Sequence, residues 1–401
     1  MAFDGWIVTA TALACGLELV VYPRQIVATA ENEPEAMRSA RLSFVHGVPS
    51  SSTLAAVTYA QDKRIRRALF EAAGIPMPTG ATFSYHSNRD VKRYVERIGF
   101  PVVVKEVVGE NLVERFAGVR DVAELERVVK LLRERQGARA HSASNLQRSA
   151  YAMTGLREVD EDDETGQRLA PVDTRYLIER DMPGEYFRFL VLDDTVVSIL
   201  SFPQGASGEE SRAQVAALRN AAVPRRLRRG QVHHEYATVA RAAVGTITGL
   251  QLAAVDIVIT DPRRRPKPRN HWVVELSERP HLHALHAVDP RAAFGVAQRI
   301  VQSEAAHAGR TLGHARRRVS VDVRFEGVSV AAAFAEQAAA LAARHGLEAR
   351  VVSADAASAT AVLHLSGSAQ ASALVIERAM AGGFERQYLR MAEVHAARGH
   401  A

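Results

Sequence analysis

Three valine-rich runs each place a charged residue inside the pattern of a buried strand, and they constrain the fold more than any other feature. Lys105 stands in FPVVVKEVV, Asp256 in LAAVDIVIT and Glu275 in WVVELSERP. A charge in such a strand is costly unless it meets an opposite charge. Lys105 can either extend to water at a strand end or bind an anion such as a phosphate. The two acids can form structural salt bridges or hold a cation.

The last two runs predict neighbouring strands joined by a hairpin-length basic loop. Alternation along a strand puts Glu275 and Ser277 on one face, and pairing can bring Asp256 opposite Glu275. Oxygen ligands without cysteine suit Mg²⁺, which typically takes one or two protein carboxylates plus substrate phosphates. The pattern therefore predicts a magnesium site, with structural salt bridges as the alternative.

The stretch YLIERDMPGEYFRFLVL, residues 176–192, predicts two strands joined by a tight turn at Pro183 and Gly184. Glu179 ends the first strand, and Glu185 opens the second. Carboxylates on either side of such a turn suit a ligand that combines a donor-rich ring with a diol. A plain surface hairpin would show the same pattern.

Composition narrows the class of protein. The 401 residues are 47% hydrophobic, yet no apolar run is long enough to span a bilayer. The start, MAFDGWIVTA, lacks the basic region of a signal peptide, and one cysteine cannot form an internal disulfide. These features predict a cytoplasmic protein without a membrane partner. The net charge of +6 is concentrated at 224–230 and 262–270, and scarce aromatics favour solvated or substrate-attracting loops over nucleic-acid binding.

The rest of the chain predicts a mixture of helices and strands. A small α/β unit is expected up to about residue 49, with a strand or strand–helix junction at 6–11. A helix in AQDKRIRRALFEAAG would place Ile65, Leu69 and Ala72 on one face, and another helix would run from Asn88 to Ile98. Residues 136–173 predict a long polar loop or a partly ordered insertion. The histidines of HLHALH (281–286) could bind zinc, but their spacing matches neither HExxH nor a finger motif, so they are expected to form a wall of the predicted site. The final segment has a β-α-β-β-α order typical of a small ferredoxin-like domain.

Five pieces of the chain, in this order and spacing, resemble the ATP-grasp carboxylate–amine ligases, nearest to the branch of cyanophycin synthetase and D-alanine–D-alanine ligase. They are AQDKRIRRALFEAAGIPMPTG, FPVVVKEVVG, YLIERDMPGEYFRFLVL, AVDIVI and VVELSERP, within residues 52–301. The resemblance implies an α/β (α+β) chain with an ATP-grasp fold. Its segments would be a pre-ATP-grasp α/β region at 1–60, an ATP-grasp domain at 61–310 with a lid at about 85–176, and an acylphosphatase-like, ferredoxin-fold domain at 318–390.

The resemblance also implies ATP and Mg²⁺ as cofactors and a role for each matching residue. Lys63 and Lys105 would contact phosphates, and Arg188 would face an acyl phosphate, so that Lys105 and Arg188 are the expected catalytic residues. The expected nucleotide-binding residues are Glu179, Arg180 and Met182 at the adenine hinge and Glu185 at the ribose. The expected metal ligands are Asp256, Glu275 and Ser277.

The chain also departs from the family pattern. Ser277 stands where an asparagine usually completes the metal site, and the strand ending at Phe202 lacks a second arginine common in the cyanophycin synthetase branch. In the acylphosphatase-like segment, Ala331 and Ser353 occupy the positions of the catalytic arginine and asparagine. We expect no phosphatase activity there, and a role in packing, dimer contact or covering the site.

The function implied is ATP-dependent amide bond formation between the carboxylate of an amino acid or peptide and an amine, through an acyl phosphate, with release of ADP and phosphate. An ATP-grasp carboxylase or thiol ligase is the alternative among enzymes, and no biotin-type domain supports the former. A nucleotide-binding regulatory or scaffold protein with a degenerate site is the alternative from another class. The sequence names neither the acid nor the amine, and it leaves a homodimer open.

Overall fold

The computed structural model describes residues 3–23, 25–30, 41–107, 115–140, 160–161, 168–169, 175–202, 224–228, 230–384 and 387–397. Its helices are α1 (Phe3–Ala14), α2 (Leu54–Gln61), α3 (Lys63–Ala72), α4 (Asn88–Ile98), α5 (Val122–Ala140), α6 (Glu235–Gly245), α7 (Leu282–Val288), α8 (Pro290–His307), α9 (Ala331–Arg344) and α10 (Ala369–Met380). Among the described residues, no helix combines the length and the apolar composition that a membrane crossing requires.

The strands form four sheets, all with antiparallel neighbours. They are β1 (Leu17–Tyr22), β2 (Gln25–Ala30), β3 (Leu42–Val45), β4 (Val48–Pro49), β5 (Gly80–Ser84), β6 (Val102–Glu106), β7 (Arg115–Val119), β8 (Asp160–Glu161), β9 (Arg168–Leu169), β10 (Arg175–Arg180), β11 (Glu185–Leu192), β12 (Thr195–Phe202), β13 (Arg225–Arg226), β14 (Leu252–Ile259), β15 (His271–Ser277), β16 (Arg318–Glu326), β17 (Glu348–Asp355), β18 (Thr360–Ser368) and β19 (Met391–Ala396). The mixed helix and antiparallel-sheet content confirms the predicted α+β class.

The chain divides into two units. Unit 1 contains Met1–Ser51 and Arg279–Ala401, and unit 2 contains Ser52–Glu278. These units do not coincide with the segments 1–60, 61–310 and 318–390, because both ends of the chain contribute to unit 1. The division into those three domains stays a prediction. The predicted insertion at 136–173 lies mostly outside the described residues, and residues 203–223 lie wholly outside them.

Unit 1 is built on one sheet that both ends of the chain share. Its strand order is β17-β18-β16-β19-β1-β2-β3-β4, with β1 antiparallel to β19. From β16 onward the order is β-α-β-β-α-β with strands arranged β17-β18-β16-β19, which is the predicted ferredoxin-like arrangement. The expected strand or strand–helix junction at residues 6–11 is wrong: these residues lie within α1. Most residues of α1 are buried, and apolar residues occur around most of its circumference. The sequence therefore lacks the apolar period of 3.6 residues that indicates a surface helix.

Unit 2 contains two main sheets, each with one face packed on helices. In the sheet β5-β10-β6-β7, Val102, Val104 and Ile178 pack in a core with residues of α4 and α5. In the sheet β13-β12-β11-β14-β15, Phe187, Val255 and Ile257 pack in a core with residues of α6. Because side chains alternate along a strand, the residues between these apolar positions point to the opposite face of each sheet.

The predicted hairpin at 176–192 is wrong in one respect. Both strands exist, but β10 pairs with β5 and β6, whereas β11 pairs with β12 and β14. The link at 181–184 therefore passes from one sheet to the other. Gly184 is required in this link because it has φ +144° and a Cβ there would lie 2.7 Å from the carbonyl oxygen of Ile259. The Pro-Gly pair predicted where one strand ends and the next begins, but it could not predict which strands each of them pairs with.

Candidate functional site

A row of charged residues crosses three adjacent strands of the five-stranded sheet. The register places Arg188 of β11 opposite Asp256 of β14, and Asp256 opposite Glu275 of β15. Their chain neighbours Phe187 and Val255 point to the α6 side, so the charged row occupies the other face. The three side chains are at most 5% exposed. Each of these charges must therefore be compensated inside the protein.

Arg188 and Asp256 form a two-pronged ion pair. The Arg188 Nε and an Nη atom donate to the two different Asp256 carboxylate oxygens at 2.7 and 2.8 Å. The Arg188 guanidinium also lies over the Phe202 ring, 5.5 Å from its centroid. Both oxygens of Asp256, a predicted metal ligand, thus already accept hydrogen bonds from a cation.

Glu275 differs from Asp256 because only one of its oxygens is engaged by a guanidinium. Arg66 of α3 donates to Oε1, whereas Oε2 is buried and accepts no hydrogen bond among the described residues. The Lys105 Nζ lies 3.8 Å from Oε2. Burial would raise the pKa of Glu275, but the positive charges of Arg66, Lys105 and their neighbours outweigh it and lower the pKa to about 2. The carboxylate is therefore ionised at neutral pH.

Lys105 bridges the two sheets. Its Nζ is 2.5 Å from the Glu179 Oε2 and donates to the carbonyl oxygen of Val274 at 2.9 Å. The other oxygen of Glu179 accepts a hydrogen bond from Arg67 of α3 at 2.5 Å. Glu179 and Lys105 are both buried. The lysine of the valine-rich strand is thus paired with acids and does not extend to water.

Lys63 begins α3 and is 2% exposed, close enough to Glu275, Arg66 and Lys105 for their charges to act on it. Burial, more than these opposing and like charges, lowers the pKa of Lys63 to about 8. An anion bound beside Lys63 would stabilise the charged form. Both predicted phosphate-contacting lysines therefore lie in one buried ionic cluster.

Arg115 adds a further buried cation on β7. Its guanidinium lies 5.1 Å from the centroid of the Tyr186 ring, and its Nε has no hydrogen-bond partner among the described residues. Burial raises the pKa of the Tyr186 hydroxyl, so the ring stays neutral. An unsatisfied buried N–H is the kind of group that a ligand or water completes.

The predicted adenine hinge is the link between the two sheets. The Arg180 backbone N–H donates to the carbonyl of Thr79, and that of Asp181 to the carbonyl of Pro101, each at 2.9 Å. Met182, which follows, is half-buried. Because Arg180 uses its N–H within the protein and Glu179 uses both carboxylate oxygens, neither group is available to adenine in this structure.

Glu185, the predicted ribose ligand, is separate from the buried cluster. Its side chain is 30% exposed and accepts a hydrogen bond from Arg225 of β13 at 3.0 Å. It precedes Phe187 by two residues and so lies on the α6 side of β11. The structure therefore does not place Glu185 in the row of Arg188, Asp256 and Glu275.

Sequence reasoning missed three cations of the cluster: Arg66, Arg67 and Arg115. The sequence predicted an apolar face on α3, but the buried residues of this helix are Lys63, Arg66 and Phe70. A usable signal was present, because Lys63 and Arg66 are three residues apart and so share a helix face. The signal was overlooked because Ile65 and Leu69, four residues apart, indicated a different buried face.

The donor set fits Mg²⁺ only in part. The buried Glu275 Oε2 is an unsatisfied carboxylate oxygen of the kind that a hard cation takes. Ser277 lies two residues away on the same strand and is also buried. Asp256 does not fit, since both of its oxygens bind Arg188. The structure thus distinguishes between two carboxylates that the sequence treated alike.

Two groups of histidines lie outside this cluster of residues, and the predicted role of residues 281–286 as a wall of the site stays a prediction. His283 and His286, predicted to form its wall, pack in unit 1 against Phe3, at 6.4 and 5.1 Å between ring centroids. In unit 2, His233, His234 and Glu235 hold ligand atoms within 4.8 Å of one another. An Nη atom of Arg265 lies 3.4 Å from the Glu235 carboxylate, so a guanidinium already balances that charge.

A cavity of about 730 Å³ lies in unit 1. It is an open groove between α9 and α10, lined by Gln337, Ala340, Leu341, Arg344, His345, Leu374, Arg378, Gly383 and Phe384. None of these residues belongs to the cluster in unit 2.

No protein-family model and no curated protein matches this sequence. Among solved structures, the chain is similar to a D-alanine–D-alanine ligase from Bacillus anthracis, with 16% identity, a TM-score of 0.44 and coverage of 64% of this chain and 70% of that one. It is similar to the ATP-grasp ligase PsnB complexed with a precursor variant, Mg and ADP (14% identity, TM-score 0.39, 63% and 61% coverage). A bifunctional glutathione synthetase from Pasteurella multocida gives 13% identity, a TM-score of 0.38 and coverage of 72% of this chain and 42% of that one. Likenesses of this size do not assign the chain to a family.

Proposed function

We propose that the protein is an ATP-dependent ligase of the ATP-grasp type, which joins the carboxylate of an amino acid or peptide to an amine and releases ADP and phosphate. The observation that carries the proposal is the buried ionic cluster between the two sheets of unit 2. Lys63, Lys105 and Arg115 are held there in positions where burial opposes their charge. A polyphosphate chain would neutralise such cations, and the five motifs that resemble ATP-grasp ligases contribute most of the cluster.

In this proposal Lys63 and Lys105 bind the phosphates of ATP. Residues 180–182 lie beside adenine, and a ribose contact by Glu185 stays a prediction, since this residue lies outside the buried cluster. Since Glu179 and Glu185 are ion-paired in this structure, ATP binding would require Glu179 to exchange Lys105 or Arg67, and Glu185 to exchange Arg225. A divalent cation on Glu275 would offset charge on the transferring phosphoryl group when bound.

The reaction would proceed in two displacements. An oxygen of the substrate carboxylate attacks the terminal phosphorus of ATP, ADP leaves, and an acyl phosphate forms. The amine then attacks the acyl carbon, phosphate leaves, and the amine loses a proton. Arg188 would face the acyl phosphate and stabilise its negative charge. The site can contribute through positioning and exclusion of water, because its charged groups are already buried and oriented.

The product nucleotide tests this proposal. Incubation with ATP, Mg²⁺ and pairs of amino acids should give ADP and phosphate by chromatography, with one pair accelerating release. Lys105→Met, which removes the ammonium but keeps the stem, should reduce the rate at least about a hundredfold. AMP and pyrophosphate as products would contradict an acyl-phosphate mechanism. Screening amino-acid pairs for phosphate release would also identify the acid and the amine.

A nucleotide-binding regulatory or scaffold protein is the second candidate function. The arginines on Asp256 and Glu275 favour it, because they occupy carboxylates that the resemblance assigns to the metal. ATP binding without any ADP release across the amino-acid panel would support this candidate. A cytoplasmic location and a homodimer stay predictions.

A further inference from the structure

The two carboxylates of the predicted metal site have different environments, and this inference rests on the proposed function. Asp256 binds Arg188 through both oxygens at 2.7 and 2.8 Å, and the pair is buried. Glu275 binds Arg66 through one oxygen and leaves the other without a hydrogen bond. Although the two residues face each other across adjacent strands, only Glu275 presents a carboxylate oxygen that accepts no hydrogen bond among the described residues, and the Lys105 Nζ lies 3.8 Å from that oxygen.

The Arg188 guanidinium is held from two directions. Asp256 accepts hydrogen bonds from the Arg188 Nε and an Nη, and this two-pronged geometry fixes the plane of the guanidinium. The centroid of the Phe202 ring lies 5.5 Å from the Arg188 Cζ. The register places Arg188 directly opposite Asp256, so the pair forms between neighbouring backbones without long reach. Such a pair limits the directions in which the remaining N–H groups can point.

Metal binding by Asp256 would disrupt this arrangement. A divalent cation on either carboxylate oxygen of Asp256 would displace one of the two hydrogen bonds from Arg188, or it would place a second positive charge beside the guanidinium. A buried cation that loses its partner is strongly destabilising. The Oε2 of Glu275 accepts no hydrogen bond, and the ammonium 3.8 Å from it, that of Lys105, also pairs with Glu179 at 2.5 Å, so a divalent cation there would break no hydrogen bond.

We propose that Asp256 is a positioning residue that holds Arg188 and does not bind the metal, and that Glu275 is the carboxylate of the two that binds a divalent cation with the nucleotide. The site therefore has one carboxylate for the metal and one carboxylate–guanidinium pair for orienting an anionic substrate group. Asp256 contributes to the reaction only through Arg188.

The test measures Mn²⁺ affinity by electron paramagnetic resonance, with full-length protein and a non-hydrolysable ATP analogue. Two double variants each remove one positive and one negative charge, so that neither changes the net charge of the cluster: Arg188→Gln with Asp256→Asn, and Arg66→Gln with Glu275→Gln. The first should keep Mn²⁺ affinity within about threefold of the wild type, and the second should lose at least about tenfold, or about 1.4 kcal/mol.

A spectroscopic measurement tests the positioning role separately. The Hε proton of Arg188 should exchange slowly with water in the wild type. Its resonance is assigned by its absence in the spectrum of Arg188→Gln. Asp256→Asn should speed this exchange at least about tenfold, since it removes the negative charge of the group that accepts the two hydrogen bonds from Arg188. Arg66→Gln with Glu275→Gln should leave the exchange of Arg188 unchanged.

The outcomes separate this inference from the proposed function. A tenfold loss of Mn²⁺ in the Arg188/Asp256 double variant would overturn the inference while the wild type still binds nucleotide and metal. The inference is also overturned if the Arg66/Glu275 double variant, checked for folding by thermal unfolding, keeps full affinity. Failure of the wild type to bind the ATP analogue would overturn the proposed function, and the metal role of Glu275 with it.

Discussion

Lys63 holds an ammonium group at a place where burial opposes its charge. It stands at the start of α3, next to the cations Arg66 and Lys105, with Glu275 as its main opposite charge. The protein therefore keeps a destabilised positive charge in its interior at neutral pH. A buried charge of this kind is common at functional sites, where an anion can stabilise it.

Lys63→Met should stabilise the protein at pH 7, and the gain should disappear in alkali. The pKa of Lys63 is about 8 in the folded chain and 10.5 when unperturbed. Between these values the unfolded chain binds the extra proton, so wild-type stability rises with pH relative to the variant. The 2.5-unit difference corresponds to about 3 kcal/mol. Urea unfolding of both proteins from pH 7 to 10.5 measures it, and a gap that stays constant would contradict the prediction.

Gly184→Ala should destabilise the chain by about 2 kcal/mol or more, since it combines strained backbone with a clash. Gly184 has φ +144°, and an added Cβ would lie 2.7 Å from the Ile259 carbonyl oxygen. Gly245→Ala is the matched control, because a Cβ there meets nothing within 4 Å at the end of α6. The control should be neutral or stabilising by up to about 1 kcal/mol. Equal urea midpoints for both variants would contradict the assignment of the link.

At the scale of elements, α3 and β6 bring cations to the face where β10 and β15 carry acids. Arg67 and Lys105 both bind Glu179, and Arg66 binds Glu275. These pairs connect the helix to both sheets of unit 2. The link at 181–184 can therefore be short, because side chains on either side of it hold the sheets together.

Glu179→Gln should destabilise unit 2 by about 3 kcal/mol, because it leaves Lys105 and Arg67 without their shared carboxylate. Glu185→Gln, six residues along the chain, is the control. Its partner Arg225 is 66% exposed, so the loss should stay below about 1 kcal/mol. Chemical denaturation compares the two variants. The opposite ranking would show that the buried pair is not needed for stability.

At the scale of the whole molecule, the chain ends belong to the same sheet. β19 lies between β16 and β1, with Val394 opposite both Leu19 and Val323. The ferredoxin-like segment is thus continuous with the N-terminal hairpin and is not an appended module. A cut at residue 318 would leave β1 without its neighbour β19, so experiments on this segment require the full chain.

The full-length protein should not hydrolyse benzoyl phosphate above the buffer rate. An acylphosphatase binds phosphate with a guanidinium and orients water with an amide, and the matching positions here are Ala331 and Ser353. Ala331 is buried at the start of α9, where it offers no polar side-chain group. Release of benzoate, followed by absorbance against heat-denatured protein, measures the activity. A rate several times that of the control would refute the prediction.

The local sequence pattern determined those elements whose own residues form an apolar helix face or a continuous apolar run. α4 begins and ends where the sequence predicted, because Val91, Val95 and Ile98 form one apolar face that Gly99 terminates. The valine-rich runs are the buried strands β6, β14 and β15, and the short basic loop predicted that the last two pair. The charges within those strands marked the site, since no water reaches them.

Only the tertiary structure decided which charges meet. Whether β10 pairs with β11 depends on competition among all strands, and a turn signal at Pro183 and Gly184 carries no information about that choice. Likewise, Asp256 and Glu275 have the same strand context, but Arg188 comes from a strand 68 residues away from Asp256 and Arg66 from a helix 209 residues away from Glu275. An ion pair forms between groups that are close in space, and such long-range proximity is a property of the folded chain alone.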